Sequence, residues 1–410
     1  MARTRYGVSL WSQRFPATRR PAYPRYTGGD ATADVVVVGA GLAGCLSAYF
    51  LARAGARVLV LEAGRVGQRA ADSLGWIPED PGVPFRTVQE LYGLRATRRI
   101  FETVRKNALD AAALIKRLGI RCELERTDAW LLTAADTDAE RWKREATLRS
   151  SAGLDSTWMP ARRLSTDLHL DNAGAIRTKR DGVCDPYRAC LGFAQHAIRA
   201  KAKFHERTPV RKITFNRKVA WLHTDNARIE TRRIVIATGG AGPSRALRRH
   251  TRELDTYIVA TPPLEKSVAR AFGPPTSVIR EAGAEPHTLR HTNDGRILIQ
   301  GGDQAPVPAR LREKALVQRT GQLMYELSRW YPAISGVIPE FGWSTSQVTS
   351  LDGLPVAGPH RNFPFHYFAI GLGLTGLTGA HLAARMIARH LEEALEPGDE
   401  ELGFARFLVR

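Results

Sequence analysis

Apolar positions crowd into two runs near the N-terminus, and the chain between them changes period. Val35–Val38 is an unbroken β-branched run, which predicts a strand buried on both faces. Residues 42–54 are apolar and alanine-rich and predict a helix lying on a sheet, closed by Gly55. Residues 57–61 are apolar again and predict a second strand, ending at Glu62. Residues 65–95 hold Gly67, Gly75 and Gly82 and three prolines (Pro78, Pro81, Pro84), and read mostly as loop. Ile100, Val104, Leu114, Ile115 and Leu118 predict an amphipathic helix over 96–120. A strand is predicted at 129–133 and a charged surface helix at 138–150. Asp185-Pro186 opens a helix over 186–200, with an N-cap and a proline in the first turn.

Short segments at 212–215, 220–224 and 227–230 predict a small antiparallel excursion. A buried strand follows and runs into Gly239 and Gly240. Strands are predicted at 256–261 and 296–300, and a helix at 309–330. The C-terminal region reads LDGLPVAG at 351–358 and FAIGLGLTGLTG at 368–379, then a helix through Glu393. No internal repeat or low-complexity segment interrupts this order.

Gly39, Gly41 and Gly44 form G-x-G-x-x-G between the first strand and its helix. The first glycine permits the tight turn, the second lets backbone approach a pyrophosphate, and the third lets the helix pack against the strand. The helix N-terminus directs amides and a positive dipole end at the phosphates. Glu62 falls where a carboxylate takes the ribose hydroxyls, a poor neighbour for the 2′-phosphate of NADP. An NAD dehydrogenase needs one glycine-rich turn and no further one at the far end of the chain. The cluster at 371–379 supplies another helix N-terminus, as a dinucleotide lying extended through the protein requires. That favours FAD.

The chain has 410 residues, enough for two packed domains, with 43% hydrophobic and 25% charged residues, a globular balance. Lys and Arg number 60 against 41 Asp and Glu, a net charge of +19 that favours anionic partners. The basic pairs are scattered and never form a block, so charge alone does not indicate a nucleic-acid protein. Four cysteines, Cys45, Cys122, Cys184 and Cys190, show no CxxC pair and no metal spacing with histidine, and read as reduced thiols. No metal site is expected. The N-terminus has no apolar signal region, and the uncharged stretches 35–52 and 362–384 are broken by glycines. The expected location is cytoplasmic.

Four stretches together resemble the FAD-dependent amine and amino-acid oxidoreductases of the D-amino-acid oxidase type: VVVVGAGLAG with Glu62, DGVCDPYRA near 185, RRIVIATGG at 232–240, and TSLDGLPVAG with AIGLGLTGLTGAHLAARMIA. YIVATPPL at 257–264 and LRHTNDGRILIQGGD at 289–303 are similar to the substrate-domain strands of that family. The resemblance implies an α/β fold with a Rossmann-like FAD-binding domain and a second, mainly antiparallel β-sheet substrate domain. The FAD domain would be discontinuous, over 30–95, 165–245 and 340–398. The substrate domain would hold 96–164 and 246–339, after an N-terminal extension of 1–29.

By the same resemblance Val210 would meet the adenine through its backbone and Gly239 would pass near the flavin side of the dinucleotide. Gly371, Gly373, Thr375 and Gly376 would serve the flavin O2 and N1 end. The loop GQRAADSLGW departs from the family pattern, and Ser73 and Gly75 are its nearest equivalents. Residues 342–349 hold no cysteine and residues 64–85 no histidine, so FAD is expected to bind non-covalently.

The reaction so implied moves a hydride equivalent from the carbon beside an amine nitrogen to flavin N5, and the imine then hydrolyses. It needs little acid or base from the protein. An amino-acid substrate would want an arginine fork for its carboxylate; Arg290 is the candidate and, with Thr375, the expected catalytic pair. Tyr257 and Trp343 are candidates for the cavity wall, and His381 reads as helix packing or surface. The expected partners are a small amine or amino acid and, as acceptor, oxygen or a quinone. A basic face docked at the inner membrane surface would suit a quinone; nucleic acid is not expected. Two alternatives stay open: an RNA-modifying flavoenzyme of the same fold, and a non-catalytic or subunit flavoprotein.

Overall fold

In the computed structural model, residues 3–133, 139–239, 245–283 and 285–407 are described. The valine run Val35–Val38 forms the centre of a six-stranded sheet. Its order is Val356–His360, Phe363–Ile370, Ile234–Ile236, Val35–Val38, Val58–Leu61, Lys203–His205. All neighbours are parallel except the first pair. All four valines are buried, as a strand covered on both faces requires. Helices Leu42–Arg53, Pro186–Arg199 and Gly376–Glu392 pack together on one side of this sheet. A four-stranded sheet carries the expected excursion, with Lys212–Phe215, Ala220–His223 and Arg228–Thr231 antiparallel in sequence. Ala31–Ala33 closes its edge in parallel.

The larger sheet has ten strands and is mainly antiparallel. Its path runs Arg5–Tyr6, Phe341–Ser350, Thr251–Ala260, Ile297–Gln304, Thr288–His291, Val278–Glu281, Glu125–Leu132, Gly174–Val183, Trp76–Ile77, with Ser156–Pro160 paired to Gly174–Val183. Its alternation separates two environments. Tyr257, Val259, Leu289, Ile297 and Ile299 pack under Leu316, Leu323 and Leu327 of helix Arg312–Trp330. The intervening Ile258, Ala260 and Leu298 join the core shared with the six-stranded sheet. Burial of each such aliphatic side chain contributes roughly 1.5–3 kcal/mol, so the period-two pattern fixes which face meets which layer.

Several expected boundaries move. The helix expected from residue 96 begins eleven residues earlier, as Phe85–Arg117, after Pro84. Gly93 stands inside it with φ 77 and ψ 164, and this break in helical geometry splits the apolar pattern in two. The strand expected at 256–261 spans Thr251–Ala260 and that at 296–300 spans Ile297–Gln304. Gly174–Val183 and Phe341–Ser350 were not expected as strands; their residues are rich in charged and polar side chains and owe their extension to partners remote in sequence. Among the described residues no helix is long and apolar enough to cross a membrane.

Candidate active site

A cleft of about 610 Å³ lies between the glycine-rich edge of the six-stranded sheet and one face of the ten-stranded sheet. Gly39 and Gly41 line it where the first strand turns into helix Leu42–Arg53. A Cβ on Gly41 would meet no protein atom within 4 Å, so the missing side chain leaves room in the cleft itself. No side chain caps this helix, and its first amides face the cleft as an anion site. Gly44 does not line the cleft; a Cβ there would sit 1.9 Å from the Gly39 carbonyl oxygen, so this glycine serves helix–strand packing. The Glu62 carboxylate is pinned at the strand end, accepting from Ala40 N and Gly64 N, each at 2.7 Å.

Ser73, Gly75, Val210 and Gly239 all line the same cleft. The Ser73 hydroxyl donates to Ala70 O at 3.0 Å, and Ser73 O accepts from the Trp11 indole at 2.8 Å. Gly75 has φ +71, and a Cβ there would lie 2.1 Å from Cys184 O. From the C-terminal cluster, Gly373 and Gly376 line the cleft beside Leu372 and Leu374. Gly371 does not: it turns the chain against Ser350, whose amide a Cβ would approach to 3.0 Å.

Two expected side chains lie elsewhere. Thr375 is 1% exposed, donates to Leu372 O at 3.2 Å and fills the space left by Gly379, so its hydroxyl braces the helix start and is not offered to the cleft. Arg290 is buried behind the cleft wall, where Nη1 donates to Leu74 O and, at 2.8 Å, to Cys184 O. Its guanidinium lies 4.8 Å from the Trp11 ring, and burial pushes its pKa down to about 10. It clamps the loop before Gly75 to the segment at Cys184. Tyr257 points into the core under helix Arg312–Trp330, its hydroxyl accepting from Gln304 at 2.6 Å, and Trp343 is buried in the core shared by the two sheets. His381 is likewise buried, paired with Asn107 at 2.9 Å, and burial pushes its pKa down to about 3.

Among the residues that line the cleft from the ten-stranded sheet are Thr256, Thr288, Gln300, Asp303, Gln347 and Arg280. Burial pushes the Asp303 carboxyl above its usual range, against the pull of the Thr256 hydroxyl and Arg280. Burial also raises Asp72, which lines the cleft near the glycine loop, to about 6, with Arg69 pulling the other way. Arg280 donates to Gly82 O at 3.4 Å and has no ion-pair partner among the described residues. Burial lowers its pKa, and Asp80 and Asp303 offset this from beyond ion-pair distance. None of these six residues was a sequence candidate. Arg280 sits in a four-residue strand, Val278–Glu281, with no motif around it; its position follows from pairing with Glu125–Leu132.

The profile described as FAD dependent oxidoreductase matches residues 34–390, most of the chain. The chain belongs to this family. Among curated relatives, the gamma-glutamylputrescine oxidoreductase of Escherichia coli (strain K12) is 25% identical over 379 residues, covering 90% of this chain and 85% of that protein. The glycine oxidase of Bacillus licheniformis is 24% identical over 372 residues, covering 87% and 92%. Among solved structures, L-proline dehydrogenase from P. horikoshii aligns with a TM-score of 0.74 at 18% identity, covering 93% of this chain and 99% of that one. Glycine oxidase from Geobacillus kaustophilus aligns at 0.70 with 20% identity, over 89% and 96%. These two likenesses show the same α/β fold. The open space at Gly41, the uncapped helix N-terminus and the pinned Glu62 carboxylate fit the pyrophosphate and ribose of FAD, the cofactor of this FAD-dependent oxidoreductase family.

Proposed function

We propose that this chain oxidises the C–N bond of an amine or amino acid, with FAD held non-covalently and oxygen or a quinone as the final acceptor. One observation carries the reading: the dinucleotide cleft continues onto a polar face of the ten-stranded sheet, with an unpaired guanidinium at its edge. When bound, FAD supplies the acceptor for the two electrons leaving the C–H bond beside nitrogen. Arg280 offers its fork to a substrate carboxylate, taking the role expected of Arg290. Asp303 offers a carboxylate to the substrate ammonium, and the amides of Gln300 and Gln347 orient the rest. Glu62 takes the ribose, Gly41 and the helix it opens take the pyrophosphate, and Val210 borders the adenine. Gly239, Gly373 and Gly376 border the flavin half.

The names of the similar proteins, acting on gamma-glutamylputrescine and glycine, describe nitrogen-bearing substrates and support the reading. Among the described residues no cysteine or histidine lines the cleft, which supports non-covalent FAD. The net charge of +19 suits a peripheral contact with an anionic membrane, where a quinone would be reached. We place Gly174–Val183 and Phe341–Ser350 in the substrate unit, since both hydrogen-bond in the ten-stranded sheet. The rest of 30–95, 165–245 and 340–398 stays with the cofactor unit.

The test is product formation. The FAD-loaded protein is incubated with amino acids, diamines and N-substituted amines, under air and with a soluble quinone. Carbonyl product and released ammonia or amine are then measured. The reading requires stoichiometric carbonyl product with at least one class. A protein that holds FAD and yields no product with any class would point to the RNA-directed or subunit alternatives.

A further inference from the structure

A second chamber of about 560 Å³ opens beside the cleft, and Trp76 and Arg280 line both. The volume falls within the roughly 300–1,000 Å³ of small-molecule sites. The strand register makes chamber and cleft successive stretches of one surface. Ile176 stands opposite Leu131, Leu131 opposite Arg280, Arg280 opposite Thr288, and Thr288 opposite Gln300, a single row across five strands. Such cross-strand neighbours share a face, with strands about 4.8 Å apart. Ile176 and Leu131 line the chamber, Thr288 and Gln300 line the cleft, and Arg280 is the member of the row that lines both. A ligand spanning the two spaces therefore crosses Arg280.

The roof of the chamber is helix Ala139–Ser151. Arg141, Arg144, Glu145, Leu148 and Arg149 line it, and their spacing of i, i+3, i+4, i+7 and i+8 puts them on one stripe of that helix. Five arginines and three carboxylates line the chamber in all, and each carboxylate is engaged. Glu145 accepts from Arg149 Nε at 2.8 Å, Phe85 N at 2.6 Å and Arg86 N at 3.2 Å. Asp80 accepts from Arg149 Nη1 at 3.1 Å and from Gly82 N at 2.6 Å. Glu281 is paired with His287 at 2.7 Å, and Arg86 with Glu90 at 3.4 Å. Arg141, Arg144 and Arg280 are left with no ion-pair partner among the described residues. The first two are exposed, at the solvent side of the chamber, and Arg280 is half-buried at its neck. Aliphatic surface from Leu131, Ile176 and Val278 lies beneath this excess of positive charge and concentrates its field within the chamber.

We propose that this chamber receives the side chain of an amino-acid substrate that bears a second carboxylate. Arg280 at the neck holds the α-carboxylate, Arg141 and Arg144 hold the distal one, and the ammonium lies toward Asp303 in the cleft. The inference rests on the amine-oxidation reading and narrows it from any amine to an acidic amino acid. A neutral side chain of the same shape fits the volume and gains nothing from the roof.

Two measurements on the FAD-loaded protein test this. The first is calorimetric titration with amine-free pairs of matched shape, succinate against succinamate and glutarate against glutaramate. In buffer of low ionic strength the diacid should bind about fivefold or more tighter, the worth of two exposed ion pairs, and the gap should narrow as salt is added. The second follows anaerobic flavin reduction by both enantiomers of aspartate and glutamate, set against asparagine and glutamine. The acids should reduce the flavin at lower concentration by a similar factor, the amides reacting as weaker substrates. The double variant Arg141→Gln/Arg144→Gln should bring each pair to within about twofold. Arg162→Gln/Arg163→Gln removes the same charge from helix Ala161–Asp167, outside the chamber, and should leave the preference in place. Flavin content and a thermal melt check the folding of both variants.

Diacid and monoamide bound equally, with acids and amides equal as reductants, would overturn the chamber's selectivity and leave the amine reading standing. A preference for acids that survives Arg141→Gln/Arg144→Gln, or falls equally in Arg162→Gln/Arg163→Gln, would place its source outside the roof and overturn the proposal. A diacid preference lost only in Arg141→Gln/Arg144→Gln, without flavin reduction by any amine, would support the chamber as an anion site and overturn the amine reading.

Discussion

Arg280 and Arg290 lie on paired strands, Val278–Glu281 and Thr288–His291, and both guanidiniums point to the face that meets the cofactor unit. Their surroundings differ. Arg290 is held through Nη1 by two carbonyls and lies over a tryptophan face, whereas Arg280 has one long contact to Gly82 O and a cleft on each side. Arg280→Gln should therefore raise KM for carboxylated substrates by about tenfold or more, the usual worth of a charged hydrogen bond, with a smaller change in kcat. An amine without a carboxylate should show no such rise, and that contrast is the check. Arg290→Gln should instead lower thermal stability and flavin retention, because it frees the loop carrying Ser73 and Gly75. Arg290 was the expected residue because the family resemblance puts a carboxylate-binding arginine in this strand region. Nothing adjacent to Arg280 distinguishes it, since its neighbourhood is assembled from Gly82, Asp80 and Asp303, more than twenty residues away on either side in most cases. The glycines and Glu62 were legible for the opposite reason: strand, turn, helix and acid all lie within one short unit.

At the level of elements, the unit Val35–Val38, Leu42–Arg53, Val58–Leu61 shows why local pattern sufficed there. Each strand needs both faces buried and the helix needs close approach, and one glycine decides the approach. Gly44→Ala would place a methyl 1.9 Å from Gly39 O, backbone that cannot swing aside. We expect the helix to lift from the strand, at a cost of about 1–3 kcal/mol in stability, together with weakened FAD binding. A thermal melt of the flavin-free protein and an FAD titration read the two effects separately; unchanged values in both would contradict the packing role. Elements defined by long-range pairing were less legible. Gly174–Val183 reads GAIRTKRDGV, polar at its middle, and extends because Glu125–Leu132 lies on one side and Ser156–Pro160 on the other. Helix Phe85–Arg117 was half hidden because Gly93 interrupts its period.

At the scale of the whole molecule, Asp352 ties three distant segments together. Its carboxylate accepts from Arg406 Nε at 2.8 Å and Nη2 at 3.1 Å, from Ser350 at 2.6 Å, and from the Tyr92 hydroxyl. Burial alone would raise its pKa, but Arg406, Ser350 and Tyr92 hold it down, from the ordinary 3.8 to about 2. A depressed carboxylate contributes stability that is complete above pH 3.8 and is lost as pH falls toward 2, about 2 kcal/mol in all. Asp352→Asn should cost about 3–5 kcal/mol at neutral pH, since it leaves Arg406 buried without its partner. It should also flatten the acid limb between those two values, and denaturant melts across pH check both. Asp352 so joins the end of strand Phe341–Ser350 to helix Phe85–Arg117 and to the C-terminal turn, while the proposed function depends on the cleft between the two sheets. Its most direct test is the visible spectrum of the FAD-loaded protein before and after anaerobic addition of glutamine and of a diamine. The flavin spectrum should bleach with at least one of these, and acid denaturation should release all the flavin. A bound flavin that stays oxidised with every amine offered would contradict it.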